Sequence, residues 1–141
     1  MAFTIETRIL SYEGAQEVLQ AAVAKARDIG VPQCISVVDP GGHLLAFARM
    51  DGAFAMSMQT SLMKAKTAAS YGEPTGNILA GVDIKLAIAT QGERINLPGG
   101  LPIIVDNRVI GAIGVGSGTG EQDRQVAAAA IKVIPGAKAF D

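Results

Sequence analysis

The amino-acid sequence predicts an α/β fold of the α+β type, a mostly antiparallel sheet with helices on both faces. Two short connections carry the first half of that statement. Pro40-Gly41-Gly42 and Asp106-Asn107-Arg108 each join two strand-like runs and are too short to cross a sheet, so both strand pairs are hairpins. The second half rests on pattern: Ile35 to Val38 and Val109 to Val115 are apolar without clean polar alternation, as strands covered on both sides are. With 141 residues and 49% hydrophobic content, the chain suffices for one well-buried domain and is too short for two, so residues 1–141 read as a single domain.

Element by element, Phe3, Ile5, Thr7 and Ile9 alternate with more polar neighbours and predict a first strand. Ser11 then caps a helix in which Ala15, Val18, Leu19, Ala22, Val23 and Ala26 recur at helical spacing, and Gly30 with Pro32 ends it. Gln33 to Asp39 and His43 to Met50 are the strands of the first hairpin. A long helical pattern from Ala53 to Tyr71 offers Met56, Leu62, Met63, Ala65, Ala68 and Ala69 to the core and stops at Gly72 and Pro74. Thr75 begins a shorter helix reaching Leu79, and Asp83 to Ala89 forms another turn or two. Gln91 to Gly100 is a loop with room for a short strand. Leu101 to Val105 and Val109 to Val115 form the second hairpin, followed by a helix from Glu121 to Ile134 with Val126, Ala127, Ala130, Ile131 and Ile134 on one face. The predicted order is β-α-β-β-α-α-β-β-α.

Composition excludes several function classes. A formal net charge of −1, with no clustered Lys/Arg run, gives no attraction for nucleic acid or anionic lipid. The N-terminal residues have no apolar signal core and no stretch reaches a membrane span, so the expectation is a soluble, cytoplasmic protein. The single cysteine, Cys34, forbids an intrachain disulfide and a cysteine zinc cluster; in its strand-like setting it reads as a buried, inert thiol. The chain holds 23 alanines and 17 glycines against six aromatic residues, so its elements must pack closely, and association between subunits would help bury the small-residue faces. No nucleophile-histidine-acid triad, H-E-x-x-H or metal-carboxylate cluster is visible, and no metal site is expected.

The run Gly111 to Gln122 passes from an apolar strand through Gly116, Gly118 and Gly120 into a helix. Thr119 and Gln122 have the spacing of a capping box, which places the partly positive helix end against the loop, where a carboxylate or phosphate is favoured. Neither register satisfies G-x-G-x-x-G and no Walker lysine follows, so a nucleotide reading is weak. Two readings stand side by side: ligand binding, and a tight turn that permits close helix-on-sheet packing. If φ at Gly118 is negative, an added methyl there should cost less than about 1 kcal/mol and separate binding from folding.

Four blocks in order resemble the GlcG/HbpS family, also called the haem-binding or DUF336 domain. They are Val37-Val38-Asp39-Pro40-Gly41-Gly42-His43 through Asp51-Gly52-Ala53, Lys64-Ala65-Lys66-Thr67-Ala68, Pro98-Gly99-Gly100-Leu101-Pro102, and the Ile110-to-Gly118 run with Gln122-Asp123, over roughly residues 5 to 135. The resemblance implies a three-layer α/β/α, profilin-like domain that forms dimers or higher assemblies. It also implies small-ligand binding, since members include secreted haem-binding redox sensors and the haem-binding domain of a cobalamin adenosyltransferase.

Among candidate site residues, Lys64 belongs to one of those blocks and lies on a helix rich in small residues; its amine can bind a carboxylate or move a proton. Lys66, about 200° further round the helix, reads as solvated. Asp123 lies in the first turn of the last helix, where the dipole alone explains a carboxylate; near Lys64 it would complete an acid-base pair. Arg49 and Asp51 read as an ion pair or as a substrate contact. His43, the only imidazole, follows a Gly-Gly turn and reads as a turn histidine rather than a haem ligand. Haem held otherwise would need a Tyr, a Met or a hydroxyl such as Thr67, while the Met56, Met58 and Met63 stripe reads as core. The leading expectation is a cytoplasmic homo-oligomer binding haem or another planar anion between Arg49, Lys64, Thr67, the Gly99-Gly100 loop and the turn of Gly116, Gly118 and Gly120. The alternatives are a lyase or isomerase acting on a small carboxylate through Lys64 or Asp123, and an accessory protein without a pocket.

Overall fold

The computed structural model describes residues 1–141 and orders the elements α1 (Tyr12–Asp28), β1 (Cys34–Val38), β2 (Leu44–Arg49), α2 (Ser57–Tyr71), α3 (Val82–Ala89), β3 (Gly100–Val105), β4 (Arg108–Gly116) and α4 (Gly120–Ile131). The strands form one four-stranded sheet, β2-β1-β4-β3, with every neighbouring pair antiparallel. The β3–β4 hairpin closes on Asp106 and Asn107, both at positive φ (51° and 61°), the conformation whose twist matches the flanking strands. Short polar side chains tolerate that region better than other non-glycine residues.

Why the strands lack polar alternation is now evident. Ile35 and Val37 of β1 and Ile113 and Val115 of β4 meet α1 and α4 through Val18, Ala22, Val126 and Ile131, all in one apolar cluster. The alternate residues, Val38 and Ala112, meet Ala65, Ala68 and Ala69 of α2 on the other face. Both faces are covered, giving the three layers. On the α2 side the spacing is set by missing side chains: a Cβ at Gly114 would run into the α2 backbone at Ser61 and Ala65. Ser36 of β1 and Ser61 of α2 join their hydroxyls across this layer at 2.8 Å.

Two predicted elements are absent. Residues 3–9 belong to no strand, with Phe3, Ile5 and Ile9 exposed and a single main-chain bond, Leu10 N to Ile110 O at 2.8 Å, at their end. Alternation supplies a face but no partner, and β4 already pairs with β1 and β3. Thr75 to Leu79 is not a helix, because tertiary partners take its polar groups: Thr75 N donates to Gly100 O at 3.0 Å, and the Asn96 side chain bonds both main-chain groups of Ile78. Gly76, at φ +102°, breaks the helical path. The segment 91–99 contains no strand, and α2 begins at Ser57, four residues later than the apolar pattern implied.

Candidate functional site

The centre of the candidate site is a buried ion pair. Lys64 extends from α2 to the start of α4, where Nζ donates to Asp123 Oδ2 at 2.9 Å and to Val115 O at 2.8 Å. Both side chains are buried. The second Asp123 oxygen accepts from Gly118 N–H at 2.9 Å and from the Gln33 amide at 3.0 Å, which also donates to Gly116 O. A lysine and a carboxylate are tolerable here because each charge faces the other and the surrounding polar groups are satisfied. The sequence separates the two residues by most of the second half of the chain; the fold makes them direct partners.

The glycines around this pair are vacated for the protein's own atoms. A Cβ at Gly99, whose φ is +120°, would stand 2.6 Å from Val115 O, 2.8 Å from Asp123 Cβ and 3.1 Å from Lys64 Nζ. One at Gly100 would meet Thr75 and the Lys64 main chain, and one at Gly116 would press on Ser57 and Thr60 at 3.2 Å. Gly118 is not at positive φ, yet a Cβ there would sit 2.8 Å from the Gln33 amide and 2.9 Å from Asp123 Oδ1. The expected small cost of Gly118→Ala is therefore corrected: the methyl would strike the network that holds the ion pair. Gly120 leaves room for the Pro98 ring.

The α4 N-terminus shares this economy. Thr119 and Gln122 form the reciprocal capping box, and Gly118 N–H is taken by Asp123. The chain thus supplies its own carboxylate to the helix end. Of the loop amides from Gly118 onward, Gly120 and Glu121 make no hydrogen bond within the chain, so an external anion has two donors rather than a nest.

Above the pair lies a cleft of about 320 Å³ lined by Phe54, Met56, Ser57, Thr60, Lys64, Leu97, Pro98, Ser117, Gly118, Gly120 and Asp123. Its walls are apolar, its polar groups are three hydroxyls and the neutralised pair, and it contains neither histidine nor cysteine. Ser117 sits at φ +96° and its hydroxyl accepts from Phe54 N–H at 3.1 Å, so backbone strain is spent fixing one wall against the other. Sequence patterns missed Phe54, Ser57, Thr60, Leu97, Ser117 and Gln33. A non-glycine residue inside Gly116-Ser117-Gly118 was the one available signal.

Of the predicted residues, Lys64, Asp123, Gly118 and Gly120 line the cleft and Gly99, Gly100 and Gly116 pack beneath it. Thr67 and Arg49 do not reach it. The Thr67 hydroxyl donates to Met63 O at 2.7 Å and Glu93 O at 3.1 Å and accepts from Ile95 N–H, pinning the 93–95 segment to α2. Arg49 forms no ion pair with Asp51; both line a different depression, beside Arg27. The methionine stripe is not core either, since Met56 and Met58 are exposed and Met56 borders the cleft. Lys66 is half-buried and pairs with Glu93 at 2.9 Å, and that hydrogen bond and charge hold the Glu93 carboxyl below its ordinary value.

His43 and Cys34 stand outside the cleft. His43 is exposed, and its Nδ1 lies 3.0 Å from Asp39 Oδ1 in the turn. Burial opposes ionisation of Asp39, but main-chain N–H bonds from His43 and Gly41, with the His43 ring, bring its carboxyl below the ordinary value. Burial pushes the Cys34 thiol up, against smaller opposing effects of Arg49 and Ser117.

Comparison with known proteins places this geometry in a family. Residues 10–132 match the family model described as "Haem degrading protein HbpS-like". Protein GlcG of Escherichia coli K12 is 39% identical over 108 residues, 76% of this chain and 81% of that protein. The crystal structure of Klebsiella pneumoniae protein ORFY, assigned to DUF336, superposes with a TM-score of 0.88 at 37% identity over 94% of each chain. A crystal structure of a PduOC–haem complex superposes with a TM-score of 0.82 at 29% identity, over 94% of this chain and 99% of that one. The chain belongs to the HbpS-like family, as its four sequence blocks resemble.

Proposed function

We propose that this protein binds haem or a similar planar anion in the cleft above the Lys64–Asp123 pair, as a homo-oligomer in the cytoplasm. The observation that carries the reading is the cleft itself: apolar walls from Phe54, Met56, Leu97 and Pro98 over a charge-neutral floor, in a chain that superposes on a haem complex. Apolar walls with a few convergent polar groups are the usual make-up of a small-molecule site. The donor set fits a ring held by packing. Haem would find a thioether at Met56 and hydroxyls at Ser57, Thr60 and Ser117, with the Gly120 amide available to a carboxylate. Bound there, haem would supply an iron centre without a histidine ligand.

Proton transfer to or from a carboxylate substrate is the weaker reading. Taking the proton from Lys64 would strand the Asp123 carboxylate in the interior beside an uncharged amine, at a cost of several kcal/mol. The pair is built to hold the α2–α4 junction, and the ligand meets it as a surface. The reading is tested by titrating hemin into the protein and into Thr60→Trp, whose indole fills the cleft. Saturable binding that weakens at least tenfold in the variant, with an unchanged circular dichroism spectrum, is expected; equal affinity would place the ligand elsewhere.

A further inference from the structure

A second depression, of about 310 Å³, lies between the end of α2, the segment 73–78 and α3, and it shares no lining residue with the cleft. Its apolar walls are Pro74, Ile78, Val82 and Leu86. Val82 and Leu86 are four residues apart on α3 and so stand on one face of that helix. Helix α3 is apolar at six of its eight positions, yet none of its residues is buried. The face carrying Val82 and Leu86 turns to this depression, and the chain itself does not cover it.

The floor is held in place by hydrogen bonds that leave its own polar groups fully engaged. The Thr67 hydroxyl serves Met63, Glu93 and Ile95, and the Thr75 hydroxyl donates to Leu97 O at 2.6 Å and accepts from Gly100 N–H at 2.8 Å. The Asn96 side chain bonds both main-chain groups of Ile78 and Asp83 Oδ2, which ties that wall to the start of α3. Walls fixed in this way need no ordering when a ligand arrives. Three other side chains in the same lining, Tyr71, Glu73 and Asn77, form no hydrogen bond or ion pair within the chain. Glu73 is the sole charged residue of the lining. The Asp83 carboxylate beside Val82 is turned to Asn96 and to the Gly81 and Ile84 amides, and the Arg94 guanidinium lies over the Tyr71 ring, 5.4 Å from its centroid, without lining the depression.

We propose that this depression binds a small organic amine, its ammonium on the Glu73 carboxylate with the Tyr71 hydroxyl and the Asn77 amide oxygen as further acceptors, and its hydrocarbon body against Ile78, Val82 and Leu86. Apolar walls around a few free polar groups are the make-up of a small-molecule site, and the volume falls at the lower end of the about 300–1,000 Å³ such sites occupy. Charge decides the class of ligand. An anion here would face a carboxylate with no cation in the lining, and an uncharged molecule would leave that carboxylate to water. The cleft differs in this respect, because its lysine and aspartate neutralise each other, so the two sites select different molecules.

The test titrates phenethylamine, the uncharged phenethyl alcohol and the anionic phenylpropionate into the isotope-labelled full chain at neutral pH, followed by amide chemical shifts. The proposal expects saturable shifts centred on residues 71–86, with the amine bound most tightly and the carboxylate most weakly. Glu73→Gln should weaken the amine about fivefold, the worth of a partly exposed ion pair, and leave the alcohol unchanged. Leu86→Trp, whose indole fills the depression, should weaken both. Circular dichroism checks the fold of each variant, and should Leu86→Trp fail to fold, Val82→Trp replaces it under the same criterion. No saturable shift with any probe overturns the proposal. So does an amine bound no more tightly than the alcohol, shifts centred on the cleft, or a folded Glu73→Gln chain that binds the amine as wild type does.

Discussion

Removing Lys64 from its partner is the sharpest test of the buried pair. Lys64→Met keeps much of the side chain's bulk but leaves the Asp123 carboxylate buried with only the Gly118 and Gln33 donors, and leaves Val115 O without its donor. Loss of one member of a buried pair costs about 3–5 kcal/mol. For a domain whose whole stability is about 5–15 kcal/mol, that is a shift in thermal midpoint on the order of 10 °C or more. Asp123→Asn keeps an acceptor for Gly118 N–H and isolates the opposite charge. The double variant carries no buried charge, so the two losses should fall short of additive by at least about 1.5 kcal/mol in urea unfolding followed by circular dichroism. Single losses below about 1 kcal/mol that simply add would refute the pair as an organising element.

Gly99→Ala and Gly30→Ala share a positive φ (120° and 72°), but only the first added methyl meets other atoms, Val115 O at 2.6 Å among them. Gly99→Ala should therefore lower the urea midpoint clearly more than Gly30→Ala; equal losses would mean that backbone strain alone governs Gly99. His43→Ala should leave the Soret band of a hemin complex in place, since the ring sits in an exposed turn against Asp39, and loss of the band would reverse that assignment. Asp39 has a folded pKa below its ordinary 3.8, so its stabilisation is complete above that value and is lost as pH falls through the lower folded value. Wild type and Asp39→Asn should then differ in thermal midpoint at pH 7 and converge in strong acid; a gap that widens in acid would contradict the sign.

Much of the fold was legible because it is written in local signals. Ser11 and Thr119 cap α1 and α4 where the spacing placed them, and the hairpin turns fall at Pro40-Gly41-Gly42 and Asp106-Asn107. The two-sided burial of β1 and β4 was visible in their unbroken apolar runs. What failed was what depends on partners. Phe3 to Ile9 alternates like a strand but pairs with none, and Thr75 to Leu79 spends its polar groups on Gly100, Leu97 and Asn96.

The site divided along the same line. Lys64, Asp123 and the glycines could be singled out, but the direct pairing of Lys64 with Asp123, and the bond of Gln33 to Asp123, join segments far apart in the chain. Of the two readings of the glycines, room for a ligand and close packing, most of the glycines fit the second, clearing space for Lys64, Asp123 and Pro98. Arg49 and Thr67, chosen by chemical type, point into other surroundings. The cleft walls at Phe54, Met56 and Leu97 come from irregular segments, where no periodicity marks an inward side.

The central claim is that the cleft above Lys64 and Asp123 holds a planar ring by packing rather than through a strong iron ligand. Titration with metal-free protoporphyrin IX, followed by its fluorescence and set beside hemin, tests it most directly. The account predicts saturable binding of both rings within about tenfold of each other, with Thr60→Trp weakening both alike, because the contacts it invokes do not involve the metal. Tight binding of hemin with none of the free porphyrin would contradict it and point to an iron ligand outside this cleft.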